Sequence, residues 1–292
     1  MSGHEANLPT LVRRAHAKIN LALAVDRPDP SGMHPIASWM TCVDLADEIR
    51  VRRRPEGENA SLKILGESVT VDWPAWEDLT FKAVRALENE LERPMTVGIE
   101  VVKRIPAGGG LGGGSSDAAT VLRTVSEIMG LDLPVERLRE ISTRIGSDVA
   151  FFLDDGVGDD EPPRPGLVTG LGDRIERLER LDEAVTLVCP PYGCPTGEVY
   201  GEFDRASPGA FPGEAVSELA SSGRPEASSL FNDLAAPACR VRPELLDLLR
   251  EVSAAAGVAA HLSGSGSTVF VLGDHGDALS EIGARVIVAR TV

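Results

Sequence analysis

Positive charge is in short supply in this chain. Lys and Arg number 29 against 45 Asp and Glu, a formal net charge of −16. Such a surface repels phosphate backbones and anionic lipid, which argues against nucleic acid or a membrane as the main partner. It does not exclude a small anionic substrate, because a local cluster of N–H donors overrides the overall field at short range. Also missing is any apolar run of bilayer-spanning length. Met1–Thr10 carries Glu5 and has no apolar core, so it lacks the pattern of a secretory signal. Cysteine is sparse: Cys42, Cys189, Cys194 and Cys239 form no C-x-x-C pair and have no His at zinc spacing. Buried free thiols in a reducing cytoplasm are the expected state. No internal repeat is present.

What is present suits a folded chain. Hydrophobic residues make up 42% and charged residues 25% of 292 positions, enough for one large domain or two modest ones with a substantial core. Alternating and then continuous apolar residues predict a strand over Lys18–Val25, followed by a turn at Pro28–Gly32. Two further strands are expected at Ala37–Leu45 and Asp47–Arg54, and another at Thr96–Val102. Leu79, Ala83, Val84, Leu87 and Leu91 recur at helical spacing over Asp78–Leu91. Pro134–Ile145 reads as a helix opened by Pro134 and ended by Gly146. Val149–Leu153 reads as an apolar strand. Asp154–Gly166, rich in Asp, Pro and Gly, is the expected domain boundary, dividing the chain into 1–156 and 157–292. Leu187–Cys189 is the core of a strand, and Ala206–Ser229 a surface excursion with at most one short helix. Pro243–Ala255 is a helix, His261–Leu272 holds a second Gly/Ser cluster, and Val286–Ala289 is a closing strand, one that can return to the N-terminal domain. Mixed helices and strands give an α/β or α+β fold class.

The strongest chemical signal is Pro106-Ala-Gly-Gly-Gly-Leu-Gly-Gly-Gly-Ser-Ser-Asp117, lying between a predicted strand and a predicted helix. Its six glycines (Gly108, Gly109, Gly110, Gly112, Gly113 and Gly114) remove the Cβ atoms that would hold a phosphate off the backbone. Ser115 or Ser116 caps the following helix, whose start offers unpaired N–H groups and the positive end of a dipole. A P-loop needs Lys after its last glycine, and Ser115 stands there instead. Gly108-x-Gly110-x-x-Gly113 fits a dinucleotide fingerprint, but any run this rich in glycine does, and the acidic residue expected on a second strand is replaced by helix.

At this segment the sequence resembles the GHMP kinase superfamily, whose phosphate loop has the form P-x-x-x-G-L-G-S-S-A-A. Ala17-Lys18-Ile19-Asn20-Leu21, Gly146-Ser147-Asp148-Val149-Ala150-Phe151-Phe152, Pro195-Thr196-x-x-Val199-Tyr200, Asn232-Asp233-Leu234 and Leu262-Ser263-Gly264-Ser265-Gly266-Ser267 are similar to further family segments in the same order. The resemblance implies a two-domain fold with ATP and an alcohol in an interdomain cleft. It implies a small-molecule substrate bearing a cytidine diphosphate group, with Mg²⁺ accompanying ATP. Pro106, Leu111, the six glycines, Ser115 and Ser116 would hold the nucleotide, and Ser115 or Ser116 is a candidate Mg²⁺ ligand. Asp148 is implied as the general base, and Lys18 as the cation that supports its carboxylate and offsets charge on the transferring phosphoryl. Asn20, Met33, His34, Thr196, Tyr200, Gly264 and Ser265 would form the substrate side.

Two departures stand out. The family's D-G-Y-H turn is Ser31-Gly32-Met33-His34 here, with Pro35 following, so Met33 takes the place of a stacking aromatic. The family's Asn near the adenine corresponds to Asp78, which accepts but cannot donate a hydrogen bond. A GHMP kinase for another alcohol, a non-catalytic ligand-binding relative and a dinucleotide-dependent oxidoreductase stay open as alternatives.

Overall fold

A computed structural model describes residues 8–66, 74–158, 161–206 and 209–292. Part of the N-terminal segment and two residues in each of the expected loops, 159–160 and 207–208, lie outside the described residues. The chain divides into two compact units that it enters more than once. The first holds the chain up to His16, Ala46–Ile105 and Gly113–Pro162; the second holds Ala17–Leu45, Pro106–Gly112 and Pro163–Val292.

Two long strands, β1 (Thr10–Val25) and β2 (Ile36–Arg53), contribute residues to both units. In the first unit the chain continues through β3 (Ser61–Leu65), α1 (Leu79–Leu91), β4 (Val97–Val102), α2 (Gly113–Ile128) and α3 (Val135–Ser142). β2 pairs antiparallel with β4 from Glu48↔Val102 to Arg53↔Val97, and β3 adds a parallel edge to β4. α1 packs along α2, and both bury an apolar stripe that includes Val84, Leu87, Val121 and Leu122.

The second unit adds β5 (Gly166–Gly170), β6 (Arg174–Arg177), β7 (Ala184–Cys189), α4 (Thr196–Arg205), α5 (Gly213–Ser222), α6 (Ala235–Val241), α7 (Glu244–Ala256), β8 (His261–Leu262), β9 (Val269–Leu272) and β10 (Arg285–Arg290). The start of β2 pairs with β5, Ile36↔Gly170 to Met40↔Gly166, and β5 pairs with β6. A separate antiparallel sheet runs β10-β7-β9-β8. Its inner face meets α4, α6 and α7 around Val188, Phe203, Leu245, Val252 and Val271.

Four local expectations are corrected. Ala37–Leu45 and Asp47–Arg54 are one strand, because the buried Asp47 carboxylate accepts from the backbone N–H groups of Arg104 and Ile105 and so does not interrupt β2. Val149–Leu153 is a 3₁₀ turn, Ala150–Phe152, whose N–H groups bond back three residues to Val149 and Ala150. Pro134 precedes α3 instead of opening it, and α3 ends at Ser142. α2 begins at Gly113, which places Ser115 and Ser116 inside its first turn and not at its cap. The excursion after Ala206 holds one short helix, α5, as expected.

Gly110 shows how tightly backbone is packed in the second unit. Its φ is +74°, and a Cβ placed there would lie 2.1 Å from the Ser263 carbonyl oxygen. Gly110→Ala should therefore lower stability by at least about 1–2 kcal/mol, the cost of a left-handed non-glycine residue alone. Gly201→Ala, on α4 with nothing within 4 Å, should be neutral or stabilising. Thermal melts of the two variants check this, and equal melting temperatures would refute the packing argument.

Candidate active site

The glycine segment belongs to the second unit up to Gly112. Gly108, Gly110 and Gly112 all have positive φ, +68°, +74° and +67°. Left-handed residues at alternate positions turn successive N–H groups toward one concave side, a shape that suits anions. The loop's carbonyl oxygens are used for anchoring. Leu111 O accepts from the Lys18 backbone N–H at 2.9 Å, Gly109 O from Thr268 N at 3.1 Å, and Gly110 O from Ser263 Oγ at 3.1 Å. These three bonds fix the loop's backbone within the second unit.

Lys18 is buried on β1, at 3% exposure. Its Nζ donates to Asn20 Oδ1 at 2.6 Å. Asn20 Nδ2 donates to Ser38 Oγ at 2.8 Å, and Ser38 Oγ donates to Ala22 O at 2.8 Å. The late glycine motif closes over this pair: a Cβ on Gly264 would lie 3.3 Å from Lys18 Nζ, Asn20 Oδ1 and Gly110 O. Only a residue without a side chain lets three such groups meet. Asn232 holds that motif in place, donating from Nδ2 to Leu262 O at 2.7 Å and to Gly264 O at 2.8 Å.

α4 carries two of the expected substrate residues. The Thr196 hydroxyl lies 3.0 Å from that of Ser265. Four residues on, and so on the same helix face, Tyr200 packs its ring 4.8 Å from His34 at a 49° tilt. His34 Nε2 lies 2.9 Å from Asp204 Oδ1, and Phe203 approaches the imidazole edge-on at 6.0 Å. Met33, on the turn before His34, is 48% exposed and takes no part in the core.

Asp148, Asp78 and residues from Gly113 to Ser116 lie in the first unit. The first four N–H groups of α2 have no acceptor within the helix, and Gly113, Gly114, Ser115 and Ser116 supply them. Leu79 gathers three segments there: its Cδ1 would touch a Cβ on Gly114 at 3.5 Å and one on Gly146 at 4.0 Å. The turn bearing Asp148 and the starts of α1 and α2 therefore meet. Asp78 is the N-cap of α1, its Oδ1 accepting from Thr80 N at 2.9 Å.

One buried group escaped sequence reading. Lys103 Nζ donates to Asp117 Oδ2 at 2.7 Å and also to Asp47. Asp47 and Asp117 are almost fully buried, and Asp117 Oδ1 is without a hydrogen-bond partner. Burial, reinforced by Asp47 and opposed by Lys103, pushes the Asp117 carboxyl up to about 8. Burial works against the Lys103 charge, but the two carboxylates outweigh it and raise the ammonium above its ordinary value. The Asp117 carboxyl therefore keeps its proton to higher pH beside the Lys103 ammonium. The acidic residue in the otherwise apolar run of β2 was the available sequence signal.

Among the described residues no three His, Cys, Asp or Glu side chains cluster as a metal site. No described helix is long and apolar enough to cross a membrane. All four cysteines are free thiols, three of them buried.

Comparison with known proteins adds three findings. Residues 78–156 match the GHMP kinases N terminal domain and residues 215–287 the GHMP kinases C terminal domain. The chain is 36% identical over 279 residues to 4-diphosphocytidyl-2-C-methyl-D-erythritol kinase of Citrifermentans bemidjiense, covering 94% of each. It is 35% identical to the enzyme of that name from Geobacter sulfurreducens, covering 92% of this chain and 91% of the relative. A crystal structure of 4-(cytidine 5'-diphospho)-2C-methyl-D-erythritol kinase superposes with a TM-score of 0.73 at 29% identity, over 96% of this chain and 99% of that one. The structure of L. major mevalonate kinase in complex with R-mevalonate, at 15% identity and a TM-score of 0.67, shares the fold over 100% of this chain and 98% of that one.

The buried cluster has a pH signature. Folded Asp117 holds its proton up to about 8, whereas the ordinary carboxyl value is 3.8, so between these limits the folded state binds more protons than the unfolded state. Stability from this group is full below the lower limit and is lost as pH rises through the upper one. Asp117→Asn does not titrate. Its melting temperature should therefore gain on that of the unsubstituted protein as pH is raised from about 5 to about 9. A constant difference across that range would mean that Asp117 is ionised throughout.

Proposed function

The chain belongs to the GHMP kinase family, and we infer from that premise that it uses ATP to phosphorylate the 2-hydroxyl of 4-diphosphocytidyl-2-C-methyl-D-erythritol in the non-mevalonate isoprenoid pathway. The observation that carries the reading is the meeting of Lys18, Asn20, Gly110 and Gly264 within a few ångströms, which fixes a buried ammonium beside the glycine loop. Phosphoryl transfer requires positioning and charge stabilisation more than covalent chemistry, and these residues supply both.

In this reading the N–H groups of the loop and of the first turn of α2 hold the ATP phosphates. Asp148 accepts the proton of the substrate hydroxyl as its oxygen bonds to the γ-phosphorus, and the bond from that phosphorus to the β–γ bridging oxygen breaks to release ADP. Lys18 offsets the charge that builds on the transferring phosphoryl. Mg²⁺ enters with ATP. A hydroxyl from Ser115 or Ser116 is the ligand the protein would offer to a cation held mainly by phosphates and water. The reading assigns Asp78 to the adenine. The same reading assigns His34, Tyr200 and Met33 to the cytosine, and Thr196 and Ser265 to the rest of the substrate. The N-terminal, ATP-binding part is taken as 1–156, ending where the N-terminal family match ends. The free thiols fit a reducing cytoplasm.

A second reading, a different alcohol as acceptor, is favoured by Met33 alone. Replacing a planar ring by an exposed thioether weakens the case for a stacked base.

The test is ATP consumption by the purified protein with 4-diphosphocytidyl-2-C-methyl-D-erythritol and Mg²⁺. Asp148→Asn should cut turnover by ~10²-fold or more with ATP affinity retained. Undiminished turnover would remove Asp148 from the mechanism. Met33→Tyr should lower KM for the alcohol about five-fold, the scale of one added aromatic contact. No turnover with this substrate, alongside intact ATP binding, would move the search to other alcohols.

A further inference from the structure

Ser38 lies on β2, fully buried at 0% exposure, and neither its sequence context nor the mechanism above gives it a task. Its surroundings do. Lys18 is donor only, so the Asn20 atom facing its ammonium at 2.6 Å must be the carbonyl oxygen Oδ1. The amide nitrogen then points the other way, 2.8 Å from Ser38 Oγ. An amide nitrogen only donates, so Ser38 must accept there. It can do so because its own proton goes to the Ala22 carbonyl oxygen at 2.8 Å. Reversing the Asn20 amide would set its NH₂ against the Lys18 ammonium, donor against donor. It would also leave Ser38 facing a carbonyl oxygen with its proton already engaged.

The chain Ala22 O, Ser38, Asn20, Lys18 therefore has one self-consistent set of proton positions, anchored at a backbone carbonyl of β1. Lys18 and Asn20 are themselves buried, at 3% and 2% exposure, so exchange with bulk water does not scramble the order. We propose that Ser38 is a positioning residue for the phosphoryl transfer: it fixes the orientation of the Asn20 amide, and through it the place of the Lys18 ammonium. It does not touch the substrate. Its effect is geometric, acting on a cation whose value in the transition state depends on placement to a fraction of an ångström.

The proposal rests on Lys18 serving the transfer, so the experiment carries Lys18→Met as a reference. Turnover and both KM values are measured for the unsubstituted protein, Ser38→Ala, Ser38→Thr, Asn20→Ala and the double variant Ser38→Ala/Asn20→Ala. Ser38→Ala should lower kcat about ten-fold with KM for ATP altered less than about two-fold, the pattern of a lost transition-state contact. Ser38→Thr, which keeps the hydroxyl, should recover most of kcat. In the Asn20→Ala background the Ser38→Ala change should cost almost nothing further, because there is no amide left to orient. A merely structural role would give the same loss in both backgrounds, and that additivity would overturn the proposal. So would an unchanged kcat in Ser38→Ala. Full turnover in Lys18→Met would instead remove Lys18 from the transfer, and the proposal with it, while leaving the reaction itself established. Should Ser38→Ala fail to fold, Ser38→Cys carries the same measurement, since it keeps an atom at the γ position but offers only a weak acceptor.

Discussion

Burying an ammonium group costs roughly several kcal/mol even after the protein relaxes around it, unless acceptors replace the lost water. Lys18 meets that cost within the second unit. Asn20 supplies an oxygen, Ser38 and Ala22 hold that oxygen in place, and the backbone of Gly110 and Gly264 comes close enough to shut out solvent. Much of the unit's irregular backbone follows from this one requirement. Gly110 must be left-handed and bare because Ser263 crowds it. Asn232 must bind two carbonyls of the late glycine motif because that motif has few side chains of its own to anchor it. A cation so confined loses little entropy when a phosphoryl group arrives, which is what charge stabilisation in a transition state demands.

The first unit holds a second, largely buried ammonium, that of Lys103. Lys103 is bonded to two acidic side chains, Asp47 and Asp117. A lysine held between two acidic groups has its charge spent on them and is poorly suited to attract a phosphate. Its place at the end of β4, bonded to the first turn of α2, joins the two flanks of the glycine segment. Asp47 adds to the same join by accepting from Arg104 and Ile105.

How much of this was legible in the sequence depended on the range of the interactions. The glycine segment, the stripes of α1, α2 and α7, and the strands β4 and β10 follow from local periodicity, and each was readable. β2 looked like two strands because Asp47 resembles a break, and the N–H groups that satisfy it lie 57 and 58 residues away. Val149–Leu153 was misread because a short apolar run does not distinguish a strand from a buried turn, and its N–H groups close back on themselves. Ser115 and Ser116 were taken as caps when glycine itself begins the helix. Lys18 and Asp148 came from resemblance alone, since a lysine on a strand or an aspartate after a glycine is ordinarily solvent-facing. Ser38 left no mark at all, because its partner on β1 was chosen by strand pairing.

Net charge poses the last question: how a chain with 45 acidic and 29 basic residues takes up two anionic substrates. At physiological ionic strength potentials decay over about 8 Å, so most surface carboxylates are screened from a ligand before it docks. What acts at contact is the local field. There the loop carries left-handed glycines at alternate positions, and Lys18 adds a full charge within the same unit. Backbone dipoles of this kind cannot be titrated or neutralised by a mobile counter-carboxylate, and they cost no side-chain entropy to aim. An acidic surface and a phosphate-holding interior are therefore compatible so long as the donors are backbone and fixed. This is the physical reason the segment is built from glycine and not from lysine.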